Sequence, residues 1–143
     1  MDADQKAIET LLMTQLQGFA DRDAASMSDI YTEDADWTNA FGRTITGRDA
    51  IISYLGELFA DSHFSDNSMA GQPEISVRTV GEDAVAVKVY TQIEGQRTIE
   101  GDVLPTRHNY SLKLLGRQSD GSWKIVSELF MDARSEVTHI KNE

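Results

Sequence analysis

The chain has 143 residues, with 24 acidic and 13 basic side chains, a formal net charge of −11 and no cysteine. That length suits a single domain spanning residues 1–143 with a core of its own. The charge argues against sequence-independent nucleic-acid binding and disfavours an anionic membrane surface, and the lack of cysteine excludes disulfide and thiolate chemistry.

The apolar periodicity predicts a first helix, capped by Asp2 or Asp4, with Ile8, Leu11, Leu12, Leu16 and Phe19 as its buried stripe. Gly18 lies inside that stripe, where a close packing contact is expected. Asp21-Arg22-Asp23 breaks the period, and Asp23 can cap a short second helix with Met27, Ile30 and Tyr31 inward. Thr32–Gly42 reads as a turn and then an extended piece centred on Trp37. A short strand at Thr44–Thr46 precedes a third helix, with Ile51, Ile52, Leu55, Leu58 and Phe59 on one face and an end near Asp61.

From there the period changes to two. Phe64–Ala70 reads as weakly extended. Ile75, Val77 and Thr79 alternate, Gly81-Glu82-Asp83 is a turn, and Val85 to Ile93 alternate on the next strand. Gly95–Pro105 is either a hairpin excursion or a loop. Two final strands, Asn109–Leu115 and Trp123–Met131, flank the hairpin signal Asp120-Gly121. Strict alternation sets Trp123, Ile125, Ser127, Leu129 and Met131 on one face and Lys124, Val126, Glu128, Phe130 and Asp132 on the other. Neither face is purely polar, so both are expected to be covered, one by the helices and one by a second copy of the chain. Three helices followed by mostly antiparallel strands make an α+β pattern, with a space between helices and a curved sheet as the natural pocket.

Four stretches carry a family resemblance: Tyr31-Thr32-Glu33-Asp34-Ala35-Asp36-Trp37 with Asn39 and Gly42, Gly47-Arg48-Asp49-Ala50-Ile51, Asp120 to Val126, and Glu128 to Arg134. The chain resembles the SnoaL-like branch of the nuclear transport factor 2 superfamily, and within it the SgcJ/EcaC group, often labelled oxidoreductases. The resemblance implies a cone-shaped α+β barrel: a curved, mostly antiparallel sheet packed against three N-terminal helices. It implies a small hydrophobic or polycyclic, polyketide-like ligand and a homodimer joined through the sheets. Relatives in that superfamily include ketosteroid isomerase, polyketide cyclases, dehydratases and non-catalytic association domains. In register with the isomerase, its catalytic aspartate becomes Asn39, its tyrosine falls among Gln15 to Phe19, and its second acid falls among Asn109 to Lys113. None of those positions carries the isomerase residue, so that mechanism is not expected here.

Glu128, a carboxylate between Val126 and Phe130, and His108 on the adjoining strand are the candidate catalytic pair, base and orienting partner. The alternative is an ordinary ion pair of Glu128 with Arg107, His108 or Lys124. Trp37, Asn39, Tyr54, Tyr90 and Tyr110 are candidate ligand contacts; each has the alternative role of a core ring or a turn-capping amide. No cofactor is expected, because the chain has no G-x-G-x-x-G or Walker loop. Metal is not expected either, since His63, His108 and His139 form no ligand-spaced cluster. No apolar run reaches membrane-span length, and Met1 to Lys6 lacks a secretory pattern, so a cytoplasmic protein is expected. The expected function is binding of a small organic molecule, with cofactor-free proton transfer; the alternative is a non-catalytic binding or association module.

Overall fold

A computed structural model describes residues 2–62 and 67–134. Helix α1 (Asp2–Asp21) is followed by a 310 helix (Ala25–Ile30), strands β1 (Tyr31–Thr38) and β2 (Thr44–Thr46), and helix α2 (Arg48–Ala60). Four strands complete the chain: β3 (Ser68–Val80), β4 (Ala84–Glu94), β5 (Arg107–Arg117) and β6 (Trp123–Asp132). No described helix is long and apolar enough to cross a membrane.

All six strands form one sheet in the order β2-β1-β6-β5-β4-β3. Every neighbouring pair is antiparallel except β1 with β6, which run parallel. The expected cone-shaped barrel is not what forms: the sheet is mixed and open, and it is neither closed nor strongly curled. Closure would require pairing between the edge strands, but β2 pairs only with β1 and β3 only with β4. With three residues, β2 offers too short a ladder to seal an edge.

The core lies where the helices cross the middle of the sheet. Leu11 and Leu12 of α1, Ile51 and Leu55 of α2, and Met27 of the 310 helix pack against Tyr31, Val87, Leu115 and Ile125. Gly18 is required by this packing, because a Cβ there would collide with the Met27 side chain. Ala24, not Asp23, holds the N-cap position of the 310 helix, and Asp23 Oδ1 accepts the Ser26 backbone N–H at 3.2 Å from one residue earlier. Tyr31 leaves that helix and begins β1, so the strand starts earlier than the turn signal at Thr32 suggested. Between β4 and β5, Arg97 bridges Val103 and Leu104 N–H bonds to Gln96 C=O, which makes Gly95–Pro105 a small hairpin excursion. The turn before β6 uses Gly121 at φ 85°, a conformation that suits glycine.

One irregularity sets the site. Leu114 pairs with Ser127 while Leu115 pairs with Ile125, so Val126 is an extra residue in β6. The bulge shifts the parity of the strand. Trp123 and Ile125 are buried before it, and Glu128 is buried after it, so strict alternation fails across the strand. Phe64 and the chain beyond Arg134 lie outside the described residues.

Candidate functional site

Strand β5 keeps an unbroken alternation. Arg107, Asn109, Ser111, Lys113 and Leu115 are buried, while His108, Tyr110, Leu112 and Leu114 are exposed. Four of the five buried positions are therefore polar, and the exposed ones are an imidazole, a phenol and two leucines. The polar row faces a cavity of about 620 Å³ between the helices and the sheet. That volume lies in the range of small-molecule sites.

The cavity lining has a polar part and an aromatic part. Gln15, Asn109, Ser111 and Lys113 contribute to the first; Phe19, Trp37, Tyr54 and Phe130 form the second. The Trp37 ring stacks at a tilt on Tyr54 and on Phe130, with centroids 5.1 Å away in each case. Its indole Nε1 is buried and has no hydrogen-bond partner among the described residues. Asn39 Oδ1 accepts the backbone N–H groups of Phe41 and Arg43, each at 2.9 Å. That fixes its carboxamide, whose Nδ2 points to the Tyr54 hydroxyl at 3.5 Å.

Behind the polar part sits Glu128, only 1% exposed. Its Oε2 accepts hydrogen bonds from Gln15 Nε2 at 2.6 Å and Lys113 Nζ at 2.9 Å, and its Oε1 accepts one from the Tyr31 hydroxyl at 2.9 Å. Gln15 Nε2 also donates to the Tyr31 oxygen at 3.2 Å, and Lys113 Nζ donates to Ser111 Oγ at 2.8 Å. Four elements build this network. Gln15 occupies the buried stripe of α1, Tyr31 opens β1, Ser111 and Lys113 lie on β5, and the bulge turns Glu128 inward from β6. A buried carboxylate is tolerated only with such partners. Burial pushes the Tyr31 hydroxyl well above the usual phenol range, and the Glu128 charge adds to the effect. Tyr31 is therefore a neutral phenol that donates to the carboxylate.

A second ion pair lies farther along β5. Arg107 Nε is 3.5 Å from Asp132 Oδ1, and both side chains are more than nine-tenths buried. Nη1 donates to Gln96 Oε1 at 2.6 Å, and the guanidinium lies 5.2 Å from the centre of the exposed Phe41 ring. Arg107, Gln96 and Phe41 all line the cavity.

The expected pair of Glu128 and His108 does not meet. Glu128 pairs across the ladder with Lys113, five residues from His108. Five is an odd number, so His108 projects from the opposite face, at a distance along the strand of about 16 Å. There its Nδ1 contacts the Tyr90 hydroxyl at 2.7 Å, and Tyr90 in turn stacks at 4.9 Å on Tyr110. Tyr90 and Tyr110 thus belong to the outer face, whereas Trp37, Asn39 and Tyr54 line the cavity. His63 and His139 lie outside the described residues. Sequence reasoning did not pick out Gln15, Tyr31, Ser111 and Lys113 as site residues. The available signals were a glutamine on an apolar helical stripe and a polar residue at every second position of β5.

No match is found among curated proteins. Among solved structures, the chain is similar to an uncharacterised protein with a cystatin-like fold from Caulobacter vibrioides, with a TM-score of 0.81 and 18% identity over 94% of this chain and 92% of that one. It is similar to a ketosteroid isomerase-like protein from Erwinia carotovora atroseptica, with a TM-score of 0.69 and 16% identity over 94% and 99% of the two chains. A candidate scytalone dehydratase from Novosphingobium aromaticivorans aligns with a TM-score of 0.68 and 18% identity over 97% and 90%. Identities this low speak for a shared fold alone. The SnoaL-like domain model matches residues 3–127, so the chain belongs to the SnoaL-like family.

Proposed function

We propose that the cavity between the helices and the sheet binds a small, largely apolar organic molecule. The observation that carries this reading is a cavity of about 620 Å³ lined both by the polar row Asn109, Ser111 and Lys113 and by the rings of Trp37, Tyr54 and Phe130. The polar groups fix orientation while ring stacking supplies affinity. Glu128 serves as a positioning residue: its three hydrogen bonds hold Lys113, Tyr31 and Gln15 in place.

A cofactor-independent proton transfer on a polycyclic or polyketide-like substrate is the second reading. It is favoured by the Lys113 ammonium lying 2.8 Å from Ser111 Oγ at the cavity wall. Such a pair would polarise a carbonyl oxygen or hold a developing enolate. The absence of any Asp or Glu among the described lining residues speaks against a carboxylate base, and so favours binding over this chemistry. Placement in the SgcJ/EcaC group rests on the four sequence stretches alone.

The outer face supports the reading that two copies pair through their sheets. Tyr110 and Met131 are partners across the β5–β6 ladder, as are Leu112 and Leu129, and all four are exposed. An apolar patch of this kind is uncommon on a lone soluble chain.

The test is a thermal-shift screen of multi-ring compounds against the native protein and Thr91→Phe, which fills the cavity from β4. Stabilisation of the native protein that Thr91→Phe abolishes, with its circular dichroism unchanged, is the expected outcome. Equal stabilisation of both would place binding elsewhere.

A further inference from the structure

We infer that the ligand is an organic carboxylate whose acid group seats on the Arg107 guanidinium, with its apolar body against Trp37, Tyr54 and Phe130. This rests on the ligand-binding reading above and names the chemical class for the same cavity.

The charge distribution points there. The protein carries a net charge of −11, yet the described residues lining this cavity include Arg22, Arg107 and Lys113 and no carboxylate. The Arg22 guanidinium donates to the Phe19 and Asn67 carbonyl oxygens and to Asn67 Oδ1; the other two cations are paired from behind. Glu128 stands on the protein side of Lys113, and Asp132 on the protein side of Arg107. Neither acid lines the cavity. The two ion pairs therefore present their positive ends to the same space. A charge in such a poorly solvated wall acts more strongly than one in water.

Of these two ion-paired cations, Arg107 has the greater capacity to take an anion. The Lys113 ammonium has three N–H groups; Ser111 and Glu128 take two, and the Phe130 ring lies 5.4 Å from Nζ. Arg107 has five: Nη1 gives one to Gln96, and the buried Nε, 3.5 Å from Asp132, makes no hydrogen bond among the described residues. Its planar fork matches a carboxylate. Phe41, 64% exposed, packs beside it, which places the guanidinium at the mouth of the cavity. The Gln96 and Asn109 carboxamides line the same part and can donate to a second oxygen. A ligand so held puts its acid near water and its rings inside.

The test compares 2-naphthoate with 2-naphthamide, which share ring and shape and differ in charge. Isothermal titration calorimetry is run on the native protein, Arg107→Gln and the control Arg78→Gln, which removes the same charge from an exposed position on β3. Asp132 keeps Arg134, at 3.1 Å, when Arg107 is replaced. The native protein is expected to prefer naphthoate by about tenfold or more. Arg107→Gln should lose that preference through weaker naphthoate binding, and Arg78→Gln should keep it. Equal affinities in the native protein would overturn acid recognition and leave the ligand-binding reading standing. A preference retained in Arg107→Gln would overturn the anchor. Binding of neither compound would overturn both readings. The native comparison decides the matter even if Arg107→Gln fails to fold.

Discussion

The two faces of β5 have exchanged the residues expected of them. The inner face carries Arg107, Asn109, Ser111 and Lys113; the outer face carries Tyr110, Leu112 and Leu114. A strand with one wet side normally alternates the other way. Polar groups inside are costly unless they are satisfied by hydrogen bonds or by a ligand, and leucines outside are wasted unless they are covered. The difference teaches that residue polarity alone does not decide which side of a strand is buried: the inner face is satisfied by the Glu128 network and lines the cavity, while the outer face leaves Tyr110, Leu112 and Leu114 exposed.

The largest effect should come from breaking the inner face. Lys113→Met leaves Glu128 buried without its cation, and we expect a loss of about 3–5 kcal/mol in denaturant unfolding. Lys113→Met combined with Glu128→Gln should recover much of that loss. A single variant as stable as the double would show that the network is not what holds this face.

At the far end of the inner row, Arg117 binds Asp4 of α1 through two hydrogen bonds, at 2.7 and 2.8 Å. These bonds, aided by one from Trp123 Nε1, hold the Asp4 carboxyl well below the usual carboxylate range. A depressed folded-state pKa contributes stability above the unfolded value of about 3.9 and loses it as pH falls. Asp4→Asn should therefore flatten the acid limb of a stability-against-pH curve and leave its alkaline side unchanged. An unchanged acid limb would remove the Asp4–Arg117 contact from the account.

Tyr31 sharpens the comparison at high pH. Its raised pKa keeps it a phenol where an unfolded tyrosine, at about 10, begins to ionise. Its contribution to stability is full below that value and falls as pH rises above it. Tyr31→Phe should leave the phenolate absorbance of the folded protein near pH 11 unchanged. A loss equivalent to one tyrosine would mean that the hydroxyl is open to water. The smallest effect on the single chain belongs to the outer face: Leu112→Gln should change its intrinsic stability by about 0.5 kcal/mol or less. Sedimentation should nevertheless show a shift to monomer if two sheets pair there, and an unchanged sedimentation profile would count against that pairing.

Much of the architecture was legible because local patterns report it. Ile8, Leu11 and Leu12 recur at helical spacing, and Val85, Val87 and Val89 at strand spacing; all six are buried. The site was harder to read for two physical reasons. A single extra residue, Val126, changes which β6 side chains share a face, and no residue type announces such a bulge. The network also joins Gln15 to Glu128 across 113 positions, a separation no periodicity encodes. Pairing His108 with Glu128 followed from their adjoining strands, and the parity of β5 separates them. Of the five candidate ligand contacts, Trp37, Asn39 and Tyr54 line the cavity and Tyr90 and Tyr110 do not, while the open sheet departs from the cone-shaped barrel that the family resemblance implied.

The central claim is that the inner polar face of β5 lines a ligand cavity, and the two tryptophan indoles test it most directly. Trp37 lines that cavity, whereas the Trp123 Nε1–H is bonded to Asp4, away from it. In a 15N–1H NMR titration with 2-naphthoate, the account predicts a progressive shift of the Trp37 indole N–H together with the Asn109 side-chain amide, with the Trp123 indole fixed. Movement of Trp123 alone, or of neither indole at saturating ligand, would contradict it.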